Sequence, residues 1–194
     1  MSEQSLLGTR EREEIDRLWA RKLRQDSEGI AQRDRHRNLE PASAEFVCAL
    51  AAGIEARKMV EIGGSTGLST IALAAAARSV SGRLVSIEFE PERQQEARQT
   101  LSRLGLAPYV DFALADAASI LPTLGEVQFA LIDCEKEDYI RFFELLQVAA
   151  GGVVVADNIL SHDLTGYVAH VRSHPRAESI TLPIGQGLEI TRLR

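Results

Sequence analysis

The sequence predicts an α/β fold: a mostly parallel seven-stranded sheet between two layers of helices, finished by an antiparallel hairpin. Three observations carry this. Short apolar runs without polar alternation recur from Met59 onward, as strands covered by helices on both faces require. Helical patterns separate those runs. The last stretch, SITLPIGQGLEITRL, breaks the rhythm and reads as two alternating strands around a glycine-containing turn.

The elements follow in order. Residues Arg10–Leu23 are helical, with Ile15, Leu18, Trp19 and Leu23 on one face. Thr9 is the expected cap, and Glu11, Glu13 and Glu14 suit the first turns. From Gln25 to Leu39 the pattern weakens into a charged loop or exposed helix that covers something. A helix follows Pro41, burying Phe46, Val47 and Leu50. The parallel strands are Met59–Ile62, Arg83–Glu88, Val110–Ala115, Gln128–Asp133 and Val153–Asp157, all apolar on both faces. Helices fall at Ser69–Arg78, Pro91–Leu104, Ala117–Leu124, Tyr139–Ala149 and Leu164–Arg172. Pro91 suits a first turn and Gly105 a C-terminal stop. Residues 1–40 are expected to form a helical cap segment and 41–194 the main body of one domain.

Composition narrows the function. A chain of 194 residues with 45% hydrophobic residues can bury a substantial core. The net charge of -6 disfavours a phosphate backbone as partner, so no nucleic acid is expected. Arg33, Arg35 and Arg37 cluster, but interleaved acids make a solvated face the expectation. Cys48 and Cys134 form no disulfide framework and have no metal-type spacing. MSEQSLLGTR lacks a basic start and apolar stretch, and the longest apolar run, around Ile71–Ala77, is too short for a bilayer. A cytoplasmic protein without membrane contact is expected.

The most informative run is MVEIGGSTGLST, Met59–Thr70. It is a strand, a glycine turn and the start of an alanine-rich helix. Ligands of open parallel sheets bind beyond the carboxyl ends of the strands. Gly63, Gly64 and Gly67 allow unusual dihedrals and close approach of a ligand to the backbone. The amides opening the next helix, with Ser65 and Ser69, suit an anionic group. Glu61, Glu88 and Asp116 fall at three successive strand ends. A nicotinamide fingerprint, G-x-G-x-x-G, fails in both registers, and no Walker lysine follows Gly67. Each acid alone is equally a helix cap or a solvated strand end; three in succession favour a ligand site.

This succession resembles the cofactor site of class I S-adenosylmethionine-dependent methyltransferases, a Rossmann-like three-layer sandwich whose usual ending is the terminal antiparallel hairpin. The resemblance implies that the glycine turn and helix start take the methionine carboxylate. Glu88 would accept both ribose hydroxyls, and Asp116 with the amide of Ala117 would read the adenine amino edge. IDCEKEDY and VVVADN are similar to the paired motifs of the cation-dependent small-molecule O-methyltransferases of the catechol and caffeoyl-coenzyme A type. Carried over by position from about Asn38 onward, Asp133, Asp157 and Asn158 would be metal ligands. Asp133 would also touch the cofactor and, with Lys136, act in catalysis, Lys136 beside the acceptor hydroxyl.

The chemistry points the same way. Two carboxylates and an amide oxygen make a hard site suited to Mg²⁺, with Ca²⁺ or Mn²⁺ as alternatives, rather than zinc. Such a metal favours the ionised hydroxyl of a small acceptor, and Lys136 either takes its proton or stabilises the oxyanion. Singly, Asp133 could cap the helix beginning near Lys136, Asp157–Asn158 could be a turn, and Lys136 a surface lysine.

The sequence departs from the family pattern at Gly64, where threonine is common, at Cys134, where alanine is usual, and in ALADA, where GDA is commoner. The absence of a long insertion resembles the shorter bacterial branch, whose members are commonly homodimers. His162 is a candidate substrate contact, Tyr139 core or pocket wall, and His170 and His174 have no partner pattern. The competing readings are a metal-independent methyltransferase of the same fold and a non-catalytic module that binds S-adenosylmethionine or S-adenosylhomocysteine. A nucleic-acid methyltransferase lacks its Asn-Pro-Pro-aromatic motif here.

Overall fold

The computed structural model describes residues 5–31 and 36–194; the sequence expectations for Arg33 and Arg35 lie outside the described residues. Two helices, α1 (Thr9–Ser27) and α2 (Pro41–Gly53), precede an alternating series. It runs β1 (Lys58–Ile62), α3 (Leu68–Ser79), β2 (Arg83–Glu88), α4 (Pro91–Arg103), β3 (Val110–Leu114), α5 (Ala117–Ile120), β4 (Val127–Ile132), α6 (Tyr139–Leu145) and β5 (Val148–Ala156). Then come α7 (Thr165–Ser173), β6 (Ala177–Leu182) and β7 (Leu188–Leu193).

The strands form one seven-stranded sheet in the order β3-β2-β1-β4-β5-β7-β6. The first five are parallel, and β7 runs antiparallel to both β5 and β6. The predicted fold class and terminal hairpin are therefore present. Chain order reverses between β1 and β4, which is where open sheets bind ligands.

The two-residue period of the strands splits the core in two. Met59, Leu84, Phe129, Leu131, Val153 and Val155 pack on one face with α1 to α4. Val60, Ile62, Ala130, Ile132, Val154 and Ala156 pack on the other with α5 to α7. Helix α3 is nearly all buried, because it lies between the sheet and α1 and α2; its run of alanines permits that close approach. Ile15, Leu18 and Leu39 are fully part of the first core, so the N-terminal segment shares the main hydrophobic body.

Several expectations are corrected. Helix α1 continues to Ser27, and Gly8 rather than Thr9 is its N-cap. The helix expected over Tyr139–Ala149 stops at Leu145, because Val148 pairs with Val127 and opens β5 five residues early. The helix at Ala117–Leu124 breaks after Ile120, and the stretch Leu121–Thr123, which contains Pro122, is a 3-10 turn. Strand β3 is only partly buried because it is a sheet edge. Phe46 and Leu50 are half-buried, while Ser43, Ala44, Val47, Cys48 and Ala51 make the inner face of α2.

The terminal hairpin is fastened by a buried charge. Glu189 on β7 is inaccessible to solvent and receives Arg172 of α7 through Nε at 2.9 Å and a second nitrogen at 3.2 Å. Ser179 donates to it at 2.7 Å, and Thr181 also donates. Removing Arg172 leaves a carboxylate that water cannot reach. Arg172→Met is expected to lower stability by about 2 kcal/mol, less than the ~3–5 for breaking a fully buried pair, because Arg172 is half-exposed and the hydroxyls remain. Urea unfolding of the two proteins measures it; a loss below about 0.5 kcal/mol refutes the role given to this pair.

Candidate active site

Strand register brings the site together. Ile132 of β4 pairs with Ile62 of β1 on one side and Ala156 of β5 on the other. The next residues, Gly63, Asp133 and Asp157, are therefore neighbours at the carboxyl edge. The ladder runs into them, with Asp133 N–H donating to Ile62 C=O at 3.0 Å and Asp157 N–H to Ile132 C=O at 3.1 Å. Gly63 has φ +95°, and a Cβ there would lie 2.1 Å from the Asp133 carbonyl oxygen, so only glycine fits.

Two cavities open beyond this edge. The first, ≈ 390 Å³, is lined by Gly63, Ser65, Glu88, Phe89, Asp116 and Ala117 among others. The second, ≈ 490 Å³, is lined by Asn38, Lys136, Asp157, Asn158, His162 and Gln186 among others. Arg37, Asp133, Cys134 and Glu135 line both, so the two spaces meet at the end of β4.

In the first cavity, Glu88 already works as a cap. Its Oε2 accepts from Ser65 N–H at 2.7 Å, and Oε1 accepts from Phe89 and Glu90 N–H at 2.9 and 3.0 Å. These bonds fix its rotamer at the rim. Ser65 sits at φ +45°, and its buried Oγ has no partner among the described residues. Asp116 caps α5 by accepting from Ala118 N–H at 2.9 Å, and both it and Ala117 face the cavity. The cap reading and the ligand reading of these acids thus coexist.

Four residues expected at the cofactor do not line either cavity: Glu61, Gly64, Gly67 and Ser69. Glu61 is wholly buried beneath the turn, where its Oε2 accepts from the Thr70 and Ser86 hydroxyls, both at 2.7 Å. A Cβ on Gly64 would fall 2.5 Å from the Ser86 hydroxyl and 3.1 Å from Glu61 Oε2, so this glycine makes room for that network. Gly67, at φ +101°, is the N-cap of α3, and a Cβ there would press on Ala97 of α4. These positions shape the turn from behind.

In the second cavity, Lys136 joins the proposed ligands. Its Nζ donates to Asn158 Oδ1 at 2.5 Å and Tyr139 Oη at 2.7 Å, and lies 3.4 Å from Asp133 Oδ1. Tyr139 is fully buried, and its hydroxyl donates to the Asp157 carbonyl at 3.3 Å. Asp133 and Asp157 both have raised pKa values, chiefly through burial, and the charge of Asp133 adds to the rise at Asp157. Lys136 offsets this in part at both. Asp157 Oδ1 is buried with no partner among the described residues. A buried carboxylate oxygen without a partner is costly unless a proton or a positive charge stands near it. Among the described residues no group of three or more His, Cys, Asp or Glu is placed to hold a metal ion.

Other expectations divide. His162 lines the second cavity and shares a contact of 2.9 Å between Nδ1 and the Ser161 hydroxyl. His170 pairs with Glu144, and His174 accepts from Arg176 N–H. Arg37 is not a solvated charge: it is half-buried, pairs with Glu135 and walls both cavities. Burial raises the Cys134 thiol pKa, which keeps it protonated between the cavities. Sequence reading missed Phe89, which directly follows the strand-end Glu88 and was findable. It also missed Asn38 and Gln186, which carry no local signal and arrive from far along the chain.

A family model described as O-methyltransferase matches residues 20–186. The chain belongs to the O-methyltransferase family. It is 37% identical over 120 residues to a catechol O-methyltransferase of Mycobacterium tuberculosis, a match covering 60% of this chain and 54% of that relative's length. The family fold recurs in the crystal structure of cofactor-bound Rv0187 from MTB, at 26% identity and TM-score 0.76 over 92% of this chain and 90% of that one. The fold of a Bacillus cereus O-methyltransferase solved in complex with SAH also matches, at 20% identity and TM-score 0.79 over 97% and 92%.

The Glu61 pocket gives a pH prediction. Burial raises its pKa above the ordinary 4.5, against the nearby hydroxyls of Ser69, Thr70 and Ser86. The folded chain therefore holds this proton more tightly than the unfolded chain, and stability falls as pH rises from 4.5 through the raised value. Gln at this position keeps an oxygen for Thr70 and Ser86 and carries no charge. Glu61→Gln is expected to melt about 3 °C above the native protein at pH 8, with the gap closing toward pH 4.5. A gap that does not vary with pH would contradict this.

Proposed function

We propose that this protein transfers a methyl group from S-adenosylmethionine to a hydroxyl of a small, catechol-like acceptor with the help of a divalent metal. The observation that carries the reading is the meeting of two cavities at Asp133: one bordered by Glu88 and Asp116, the other by Asp157, Asn158 and Lys136. Membership of the family supports methyl transfer to oxygen, and the SAH of the Bacillus cereus structure supports the cofactor. The name of the Mycobacterium tuberculosis relative supports a catechol-like acceptor.

The first cavity takes the cofactor. Glu88, held by three backbone amides, presents its carboxylate to the ribose, and Asp116 and Ala117 face the adenine edge. Gly63, Gly64, Ser65, Gly67 and Ser69 build the turn whose amides take the methionine carboxylate, and Glu61 anchors it. Asp133, Asp157 and Asn158 would hold the metal, most suitably Mg²⁺. When bound, the cofactor supplies an electrophilic methyl and the metal supplies Lewis acidity toward the acceptor hydroxyl. Lys136 is the partner of the acceptor oxygen, its Nζ already within reach of Asn158, Tyr139 and Asp133 in the site. It either takes the hydroxyl proton or stabilises the oxyanion left when that proton goes to water.

The described residues before 41 supply the cap, with Lys22, Arg37 and Asn38 reaching the wall of the acceptor cavity. A homodimer is the proposed assembly. The second reading is methyl transfer without a metal; Lys136 favours it by already placing a positive charge against Asp133 and Asn158.

Calorimetric titration with S-adenosylmethionine, followed by turnover of a catechol panel with and without EDTA, tests the reading. Binding in the micromolar range and loss of turnover in EDTA are expected; turnover that survives EDTA selects the second reading, and absence of binding refutes both. Asp157→Ala is expected to reduce turnover at least about 100-fold while the S-adenosylmethionine Kd stays within about twofold. Equal loss of both would refute separate sites. Glu88→Ala is expected to weaken S-adenosylmethionine binding at least about tenfold; an unchanged Kd misplaces the ribose.

A further inference from the structure

We propose that Gln186 is a positioning residue for Asn158: its side chain fixes the Asn158 amide so that the oxygen faces the cation site. This rests on the metal reading given above and extends it to a residue far from either motif.

Lys136 and Gln186 hold the Asn158 amide from its two sides. An ammonium has donors only, and Lys136 Nζ lies 2.5 Å from Asn158 Oδ1. The Asn158 nitrogen must therefore face away from Lys136. It donates to Gln186 Oε1 at 3.3 Å. Gln186 is thus the acceptor that rewards this orientation. If the amide turned over, two donors would face Lys136, and the carboxamide oxygen would leave the cavity that also holds Asp133 and Asp157.

Asn158 needs outside support. Its backbone sits at φ +65°, in a region that asparagine tolerates but that no regular element enforces. The support comes from the loop between β6 and β7. Ile159 N–H donates to Gly187 C=O at 3.0 Å and Leu160 N–H to Gln186 C=O at 2.9 Å. Gly187, at φ +91°, lies so near that a Cβ would come 2.5 Å from the Leu160 side chain. The loop is clasped to the ligand turn by backbone bonds, and the Gln186 side chain is free to act on the amide. Because the clasp does not use that side chain, replacing it leaves the fold in place.

Second-layer partners of metal ligands typically contribute ten- to a hundredfold in metal affinity. The test measures Mn²⁺ binding to the whole protein by calorimetry and by electron paramagnetic resonance, without cofactor or acceptor, and S-adenosylmethionine affinity alongside. Gln186→Met keeps the shape and removes the acceptor oxygen; Gln186→Glu keeps an acceptor. Gln186→Met is expected to weaken Mn²⁺ binding about tenfold, with melting temperature and S-adenosylmethionine Kd unchanged. Gln186→Glu is expected to bind Mn²⁺ at least as well as the native chain. Native-like Mn²⁺ affinity in Gln186→Met overturns the proposal, as does equal weakening in both variants, or loss of S-adenosylmethionine affinity in step with Mn²⁺. Failure of the native protein to bind Mn²⁺ overturns the metal reading beneath it, and this proposal with it.

Discussion

Parallel pairing of β1, β4 and β5 in one register is the constraint from which the site follows. In a parallel ladder the strands end at the same edge, and residues just past the last pair are neighbours whatever their distance in sequence. The pairs Ile62–Ile132 and Ile132–Ala156 set Gly63, Asp133 and Asp157 side by side. A one-residue slip would turn the next side chains to the other face and separate the carboxylates. The two hydrophobic layers hold that register, because each strand splits its side chains between them. Core packing and site geometry are in this sense the same fact.

Around that edge the polar groups are satisfied in layers. Glu61 lies deepest and ties the glycine turn to α3 and β2 through hydroxyls. Glu88 is next, a cap whose remaining lone pairs face the cavity. Asp133 lies at the cavity junction and Asp157 on the wall of the second cavity. Lys136 balances part of their charge, and Asp157 keeps one oxygen without a partner among the described residues. Buried carboxylates in that condition are costly unless a cation or proton is near. The cost is concentrated where the proposed metal chemistry needs it.

The second cavity, the proposed acceptor side, is built differently from the first. Its acids come from adjacent strand ends, but part of its wall comes from residues before α2 and from the hairpin loop. Arg37 and Asn38 enter from the segment before α2, and Gln186 from the hairpin loop. Asn38 is held by the Thr66 hydroxyl at 3.1 Å, which couples this wall to the glycine turn. Elements of differing origin can vary without disturbing the register of the parallel strands.

The sequence by itself determined the sheet, its helices and its terminal hairpin, because apolar runs and turn residues are local signals. It also determined the strand-end acids Glu88, Asp116, Asp133 and Asp157, since a polar residue after an apolar strand stands out in the pattern. What it misjudged depends on neighbours in space. Glu61 and Gly67 read as ligand residues, yet both stand behind the turn rather than on a cavity wall, because the face a strand-end side chain takes is set by the helix laid against it. Arg37 read as a solvated charge, yet Glu135, ninety-eight residues away, draws it into the wall. Strand β5 begins early because Val148 meets Val127, an event no helical period can report. Tertiary structure decided these points for one reason: register and long-range hydrogen bonds join residues that share no local pattern.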